Sequence, residues 1–219
     1  MAEKLNDIEI RILGSLIEKE LTTPDYYPLT LNSLTAACNQ KSNRSPVVEW
    51  DQEKVIEGVR TLRNRQMVII SSAPGQRVRK YEHRFRETFF VSKAEMVLLC
   101  ELMLRGPQTA GELRTHSARM SSFPDLQEIS NLLEQLMDRE QPLVVRLPRQ
   151  PGHKENRFAH LLGAEPEISA EDVIPAASGG KTDKGSARME LLEKEVEDLR
   201  EELEQLKAEF RQFRQQFES

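Results

Sequence analysis

The chain has 219 residues, of which 38% are hydrophobic, 5% aromatic and 31% charged, with a formal net charge of −5. That length allows one or two domains with modest cores, and the spread of charge excludes a membrane span, because no uncharged apolar run approaches the ~18–20 residues it needs. Cys38 and Cys100 stand far apart in apolar stretches, which excludes a disulfide scaffold and a paired-cysteine zinc site, and no apolar signal segment occupies residues 1–7, so a reducing cytoplasm is the expected setting.

Asn6-x-x-Glu9 is a capping box, and Leu5, Ile8, Ile12, Leu13, Leu16 and Ile17 follow at helical spacing. Thr22-Thr23-Pro24 ends that helix. The rigid stretch Pro24-Asp25-Tyr26-Tyr27-Pro28 leads to a second helix near Thr30–Asn39. A polar loop from Gln40 to Pro46 follows, then a third helix over Asp51–Gln66 with Val55, Val59 and Leu62 inward. Met67–Ser71 is a strand by its β-branched content, Ala73-Pro74-Gly75-Gln76 a turn, and Val78–Phe85 the returning strand.

The same order recurs. Ser92-x-x-Glu95, Thr109-x-x-Glu112 and Asp125-x-x-Glu128 cap three further helices. Leu143–Leu147 and Arg157–Leu162 form a hairpin around Pro151-Gly152. At an offset of 77, Pro74-Gly75 matches Pro151-Gly152, Lys80 matches Arg157, Tyr81 matches Phe158 and His83 matches His160. Three helices and a hairpin make a winged helix, a relative of the helix-turn-helix. The expected fold is mainly α with small β-hairpins (α+β): two tandem winged-helix domains, residues 1–90 and 91–163. Two unlike α+β units sharing turn chemistry are the alternative.

Residues 164–187, rich in Gly, Ser, Pro and Ala around 175–180, read as a flexible linker. From 188 to 219 the pattern is a heptad seam. Met189, Val196, Leu203, Phe210 and Phe217 take a positions, and Leu192, Leu199, Leu206 and Phe213 take d positions. In a parallel pair Arg188 faces Glu193, Glu195 faces Arg200, Glu202 faces Lys207 and Glu209 faces Arg214. All four pairs are opposite in sign, so a parallel coiled-coil homodimer is expected. A third strand, or a helix docked on the chain's own domains, fits the same seam.

Net charge is +2 over residues 1–90, zero over 91–163 and −7 over 164–219. The acidity therefore belongs to the tail. In a helix-turn-helix the third helix enters the major groove and the wing touches phosphate. The first unit offers Lys54, Arg60, Arg63 and Asn64 on that helix, Lys41, Asn43 and Arg44 in the loop before it, and Arg77, Arg79, Lys80 and Arg84 on the hairpin. These side chains suit guanine edges and phosphates. Asp51 and Glu53 at the helix start work against it, and an ordinary solvated face carries the same residues. The third helix of the second unit is acidic, with Glu128, Glu134, Asp138 and Glu140, and suits a protein partner or none, while Arg114, His116 and Arg119 and the wing's Arg146, Arg149, Lys154 and Arg157 offer a weak grip on phosphate.

Enzyme chemistry finds no footing. His83, His116, His153 and His160 form no metal-ligand spacing, and there is no phosphate-binding glycine loop or recognisable nucleophile. No catalytic residue, metal or cofactor is expected. The reading is a dimeric double-stranded-DNA-binding protein, in the manner of a transcriptional regulator. A winged-helix adaptor or structural component of a complex, without DNA binding, is the alternative.

Leu16-Ile17-Glu18-Lys19-Glu20-Leu21-Thr22-Thr23-Pro24-Asp25-Tyr26-Tyr27-Pro28-Leu29, Ala37-Cys38-Asn39-Gln40-Lys41-Ser42-Asn43-Arg44, Leu104-Arg105-Gly106-Pro107-Gln108-Thr109 and Leu147-Pro148-Arg149-Gln150-Pro151-Gly152 together resemble the YceH family of bacterial proteins. The resemblance covers about residues 5–163. It implies tandem winged-helix domains and carries no activity or site residue with it.

Overall fold

A computed structural model describes residues 4–71, 78–149 and 155–164. The expected linker past residue 164, the heptad seam with Met189, Leu192, Val196, Leu199, Leu203, Leu206, Phe210 and Phe213, and the hairpin residue Arg77 lie outside them. The described residues form a mostly helical α+β fold with seven α-helices and two small antiparallel sheets. No helix among them is long and apolar enough to cross a membrane.

The first half begins with α1 (Asp7–Thr22). Its capping box is formed as the spacing predicts. Asn6 Oδ1 accepts from the Glu9 amide, and Glu9 Oε2 accepts from the Asn6 amide, both at 2.9 Å. A short 3-10 helix (Pro24–Tyr26), β1 (Leu29–Thr30) and α2 (Leu31–Cys38) follow. Then come α3 (Gln52–Asn64), β2 (Val68–Ser71) and β3 (Lys80–His83). Thr30 and Asp51 cap α2 and α3 through their side-chain oxygens. The sheet order is β1-β3-β2, all antiparallel, with Tyr81 opposite both Leu29 and Ile70.

The returning strand is shorter than expected. Instead of running to Phe85 it stops at His83, and α4 (Phe85–Phe89) begins at once. The His83 ring ends the strand locally, since Nδ1 accepts from the Phe85 amide at 3.2 Å. Phe85 then turns wholly into the core.

The second half repeats the order with α5 (Lys93–Arg105), α6 (Ala110–Ser117), α7 (Leu126–Met137), β4 (Val144–Arg146) and β5 (Phe158–His160). Ser92 with Glu95 and Thr109 with Glu112 form reciprocal capping boxes. Where the first half has β1, the second has a single bridge, with Gln108 and Phe158 exchanging backbone hydrogen bonds of 3.0 and 2.7 Å. Phe158 thus occupies the place of Tyr81, as the offset of the repeat requires.

Both halves lie in one compact unit, Met1–Ala176, and share a continuous core. The centre of that core is α1, packed on α2, α3 and α5. Two glycines permit the close crossings. A Cβ on Gly14 would meet Leu104 Cδ2 of α5 at 2.8 Å, and one on Gly58 of α3 would meet Ile8 and Ile12 at 2.7 Å. Because α5 covers one side of α1 and α2 and α3 the other, the polar stripe Arg11, Ser15 and Glu18 is buried. The amide of Leu5 donates to Leu162 O and that of Ser45 to Leu104 O, both at 2.8 Å, tying the halves together at two further points.

Candidate nucleic-acid interface

Position and exposure divide the expected DNA-facing residues sharply. Helix α3 buries Val55, Gly58, Val59 and Leu62. Its opposite side exposes Glu53, Glu57, Arg60 and Asn64, with Arg63 and Lys54 exposed on the flanks. The entry to α3 is clamped. Asn39 donates to Trp50 O at 2.7 Å and accepts from the Trp50 amide at 2.9 Å. Lys54 Nζ lies 5.2 Å from the Trp50 ring centroid, a cation–π distance. Lys41 is exposed in the loop before α3, Arg79 and Arg84 are exposed at the two ends of β3, and Lys80 is half-buried within it.

Among the described residues, none of Lys41, Lys54, Arg60, Arg63, Arg79, Lys80 and Arg84 has an ion-pair partner. The second half differs. Arg105 pairs with Glu101, Arg119 with Glu18, Arg139 with Glu95, Arg146 with Glu134 and Arg157 with Glu112. Its α7 exposes Gln127, Asn131, Glu134 and Gln135, and Asp138 at its C-cap is exposed too. Lys93, Arg114 and Arg149 of the second half are likewise exposed without an ion pair among the described residues, so what sets the first half apart is that its unpaired cations gather around α3 and the hairpin.

Two residues expected to touch DNA do not belong to that surface. The Arg44 side chain is fully buried. Its guanidinium reaches Glu18 Oε2 at 2.6 Å and Oε1 at 3.2 Å, Ala37 O at 2.9 Å and Gln40 Oε1 at 3.0 Å. Arg119 closes on the other side of the same carboxylate. Asn43 adopts a left-handed backbone (φ 60°), and its side-chain oxygen accepts from Arg105. Both are structural, and no phosphate can reach the donors of Arg44. Burial drives the Glu18 carboxyl upward, but the hydrogen bonds and charge of Arg44, with Arg119 and Lys19, outweigh it and hold the group below the usual carboxylate range.

Several other titratable residues are explained by packing. His83 donates its amide to Tyr27 Oη at 2.8 Å, and its Nε2 lies 2.9 Å from Glu20 Oε2. Since Nδ1 accepts from the Phe85 amide, the proton sits on Nε2 and is donated to Glu20. The hydrogen bond to His83 holds the Glu20 carboxyl low, against the effect of burial. Tyr27 and Trp50 brace loops, while Tyr26 stays exposed. Cys38 and Cys100 are buried free thiols. Burial pushes Cys38 up to about 11 and Cys100 well above its ordinary value, so neither is a nucleophile near neutral pH. His153 lies outside the described residues.

Residues 5–153 match the family model "Protein of unknown function, DUF480". The chain is 51% identical over 194 residues to a UPF0502 protein of Geobacter sulfurreducens, covering 88% of each. It is 48% identical over 197 residues to one of Vibrio atlanticus, covering 88% of this chain and 90% of the relative. To one of Opitutus terrae it is 45% identical over 172 residues, covering 78% and 75%. A match over most of the chain at about half identity, on the phrases that resemble YceH proteins, identifies the relationship: the chain belongs to the DUF480 (UPF0502) family.

Proposed function

We propose that the two halves are winged-helix units, that the first binds duplex DNA through α3 and the β2–β3 hairpin, and that the heptad segment pairs two chains in parallel. The single observation that carries DNA binding is the set of unpaired cations on α3, its preceding loop and the hairpin. An exposed Lys or Arg with a carboxylate partner gains little by moving to phosphate; one without a partner gains the full release of counterions from DNA. The fold analogy supports the reading, since the third helix and wing are the elements that such units present to DNA. Glu53 and Glu57 on the same helix discourage phosphate at its start and centre the interface on Arg60, Arg63 and Asn64. A two-fold pair of such units would prefer a roughly palindromic site. The protein acts by binding rather than catalysis.

The second half supports a complementary role. With five of its arginines held in ion pairs and α7 acidic, it suits a protein partner, and an adaptor built on that surface is the rival reading. Retention of the full chain on duplex fragments at low salt, lost as salt rises, supports the DNA reading. Recovery of one stoichiometric protein partner with no DNA retention supports the adaptor.

The pairing has its own test. Deleting residues 188–219 is expected to halve the mass measured by light scattering and to weaken binding to a two-half-site duplex far more than to a single half-site. A deletion variant that keeps the mass of a dimer contradicts it.

A further inference from the structure

A cavity of about 260 Å³ lies where α1, the segment leading into α3, α5 and the end of β5 meet. Its walls include Ile10, Val48, Trp50, Leu102 and Met103, an apolar lining with one indole. Two polar groups on it are unusual. Arg11 is only 4% exposed, and among the described residues no carboxylate pairs with it. The neighbouring buried guanidinium, Arg44, has Glu18; among the described residues Arg11 has two carbonyl acceptors, Cys38 O at 3.3 Å from Nη1 and Pro46 O at 2.7 Å from Nη2. A guanidinium carries five N–H donors, so donors remain beyond those two. His160 also lines the cavity, and its Nδ1 is buried without a hydrogen-bond partner.

We propose that this cavity binds a small organic monoanion: a carboxylate held by Arg11 and His160, with a flat apolar body between Trp50, Met103 and Leu102. A buried cation without a counter-ion is costly, and a bidentate carboxylate removes that cost directly. The volume sits just under the ~300–1,000 Å³ of typical ligand pockets, which selects a compact acid. Asp7, which also lines the cavity, and the one unpaired cation among its described lining residues select one negative charge over two. Ser45, Pro46, Val48 and Trp50 form one wall, and Trp50 leads directly into the Asp51 cap of α3. The occupant therefore stiffens the approach to α3. An effect of the ligand on DNA binding follows from this only if the proposed function holds; the binding itself does not depend on it.

Trp50 is the only tryptophan, so its fluorescence in the intact chain reports the site without DNA. Benzoate, phenylacetate and hexanoate serve as probes, with benzamide and inorganic phosphate as comparisons. A saturable change with at least one of the acids, at least tenfold weaker with benzamide and with phosphate, is expected. Arg11→Gln should weaken that acid's binding at least tenfold. Because Arg11→Gln could disturb folding, Met103→Trp is the second variant. It fills the cavity, leaves Arg11 in place, and is read by the acid's shift of the thermal midpoint, which should vanish. No saturable response to any acid, equal binding of benzoate and benzamide, tighter binding of phosphate, or an undiminished shift in Met103→Trp would overturn the proposal. Acid binding in a chain that fails to bind DNA leaves the pocket standing and removes only its regulatory consequence.

Discussion

Replacing Glu18 with Ala is expected to cost about 3–5 kcal/mol of folding stability, the penalty for stranding a buried charge. Glu18 has no exposed surface, and Arg44, equally buried, holds both of its oxygens. Arg119 and Lys19 complete the ring of charge around it. Without the carboxylate, Arg44 keeps only neutral acceptors and faces the charge of Arg11 with nothing between them to offset it. Burial, and then that neighbouring charge, already bring Arg11 below the ordinary value for arginine. The double variant Glu18→Ala/Arg44→Met should recover much of the loss, because removing both members of a buried pair is far less damaging than removing one. Urea unfolding followed by circular dichroism measures both. A single variant losing under 1 kcal/mol would mean that the network is not structural, and Arg44 would again be a candidate for binding DNA.

The second large effect is acid-induced loss of stability centred on His160. His160 is half-buried, with its Nδ1 wholly enclosed, and burial, with the nearby Lys4 charge and against that of Asp7, brings its pKa from 6.5 down to about 4. The unfolded chain therefore takes up a proton below 6.5 that the folded chain refuses until about 4. His160 favours the folded state fully above pH 6.5, and that contribution drains away as pH falls towards 4. The total loss is about 3 kcal/mol, at 1.36 kcal/mol per pKa unit. The depressed carboxylates Glu18, Glu20, Glu95 and Glu112 act in the same direction but at lower pH, since their contribution is present above the ordinary carboxylate value and is lost below it. The interval between pH 6.5 and about 5 belongs mainly to His160. Stability measured at half-unit steps should fall across it in the parent chain and stay nearly level in His160→Asn. Parallel curves for the two proteins would contradict the assignment.

Much of the fold was legible in the sequence because the signals are local. Capping boxes at Asn6, Ser92 and Thr109 depend on residues three apart and are formed. The hairpin repeat placed Tyr81 and Phe158 in equivalent positions, and the register agrees. What was not legible depends on partners distant in the chain. A two-residue strand such as β1 leaves no periodicity to detect and exists because β3 is there to pair with. Helix α4 forms because Phe85 must turn into the core after His83 captures its amide. Arg44 in a polar loop and Glu18 on a polar helix stripe each look solvated in isolation. They are buried because the second half packs α5 over the face of α1 that a single unit would leave to water. His83 and His160 show the limit of the repeat. They match in sequence, yet one is hydrogen-bonded at both ring nitrogens and the other has a buried Nδ1 with no partner.

The central claim is that the unpaired cations of the first half meet phosphate. It is tested most directly by the salt dependence of duplex binding in the intact chain and in Arg60→Ala/Arg63→Ala/Arg79→Ala/Arg84→Ala. These side chains are exposed and without ion pairs among the described residues, so folding stability should change by no more than about 0.5 kcal/mol per site. The slope of log K against log salt should become shallower by roughly three to four in the variant, at about 0.9 for each phosphate that is no longer neutralised. Equal slopes in the two proteins, or no binding by the intact chain at low salt, would contradict the claim and leave the second half, with its acidic α7, as the functional surface.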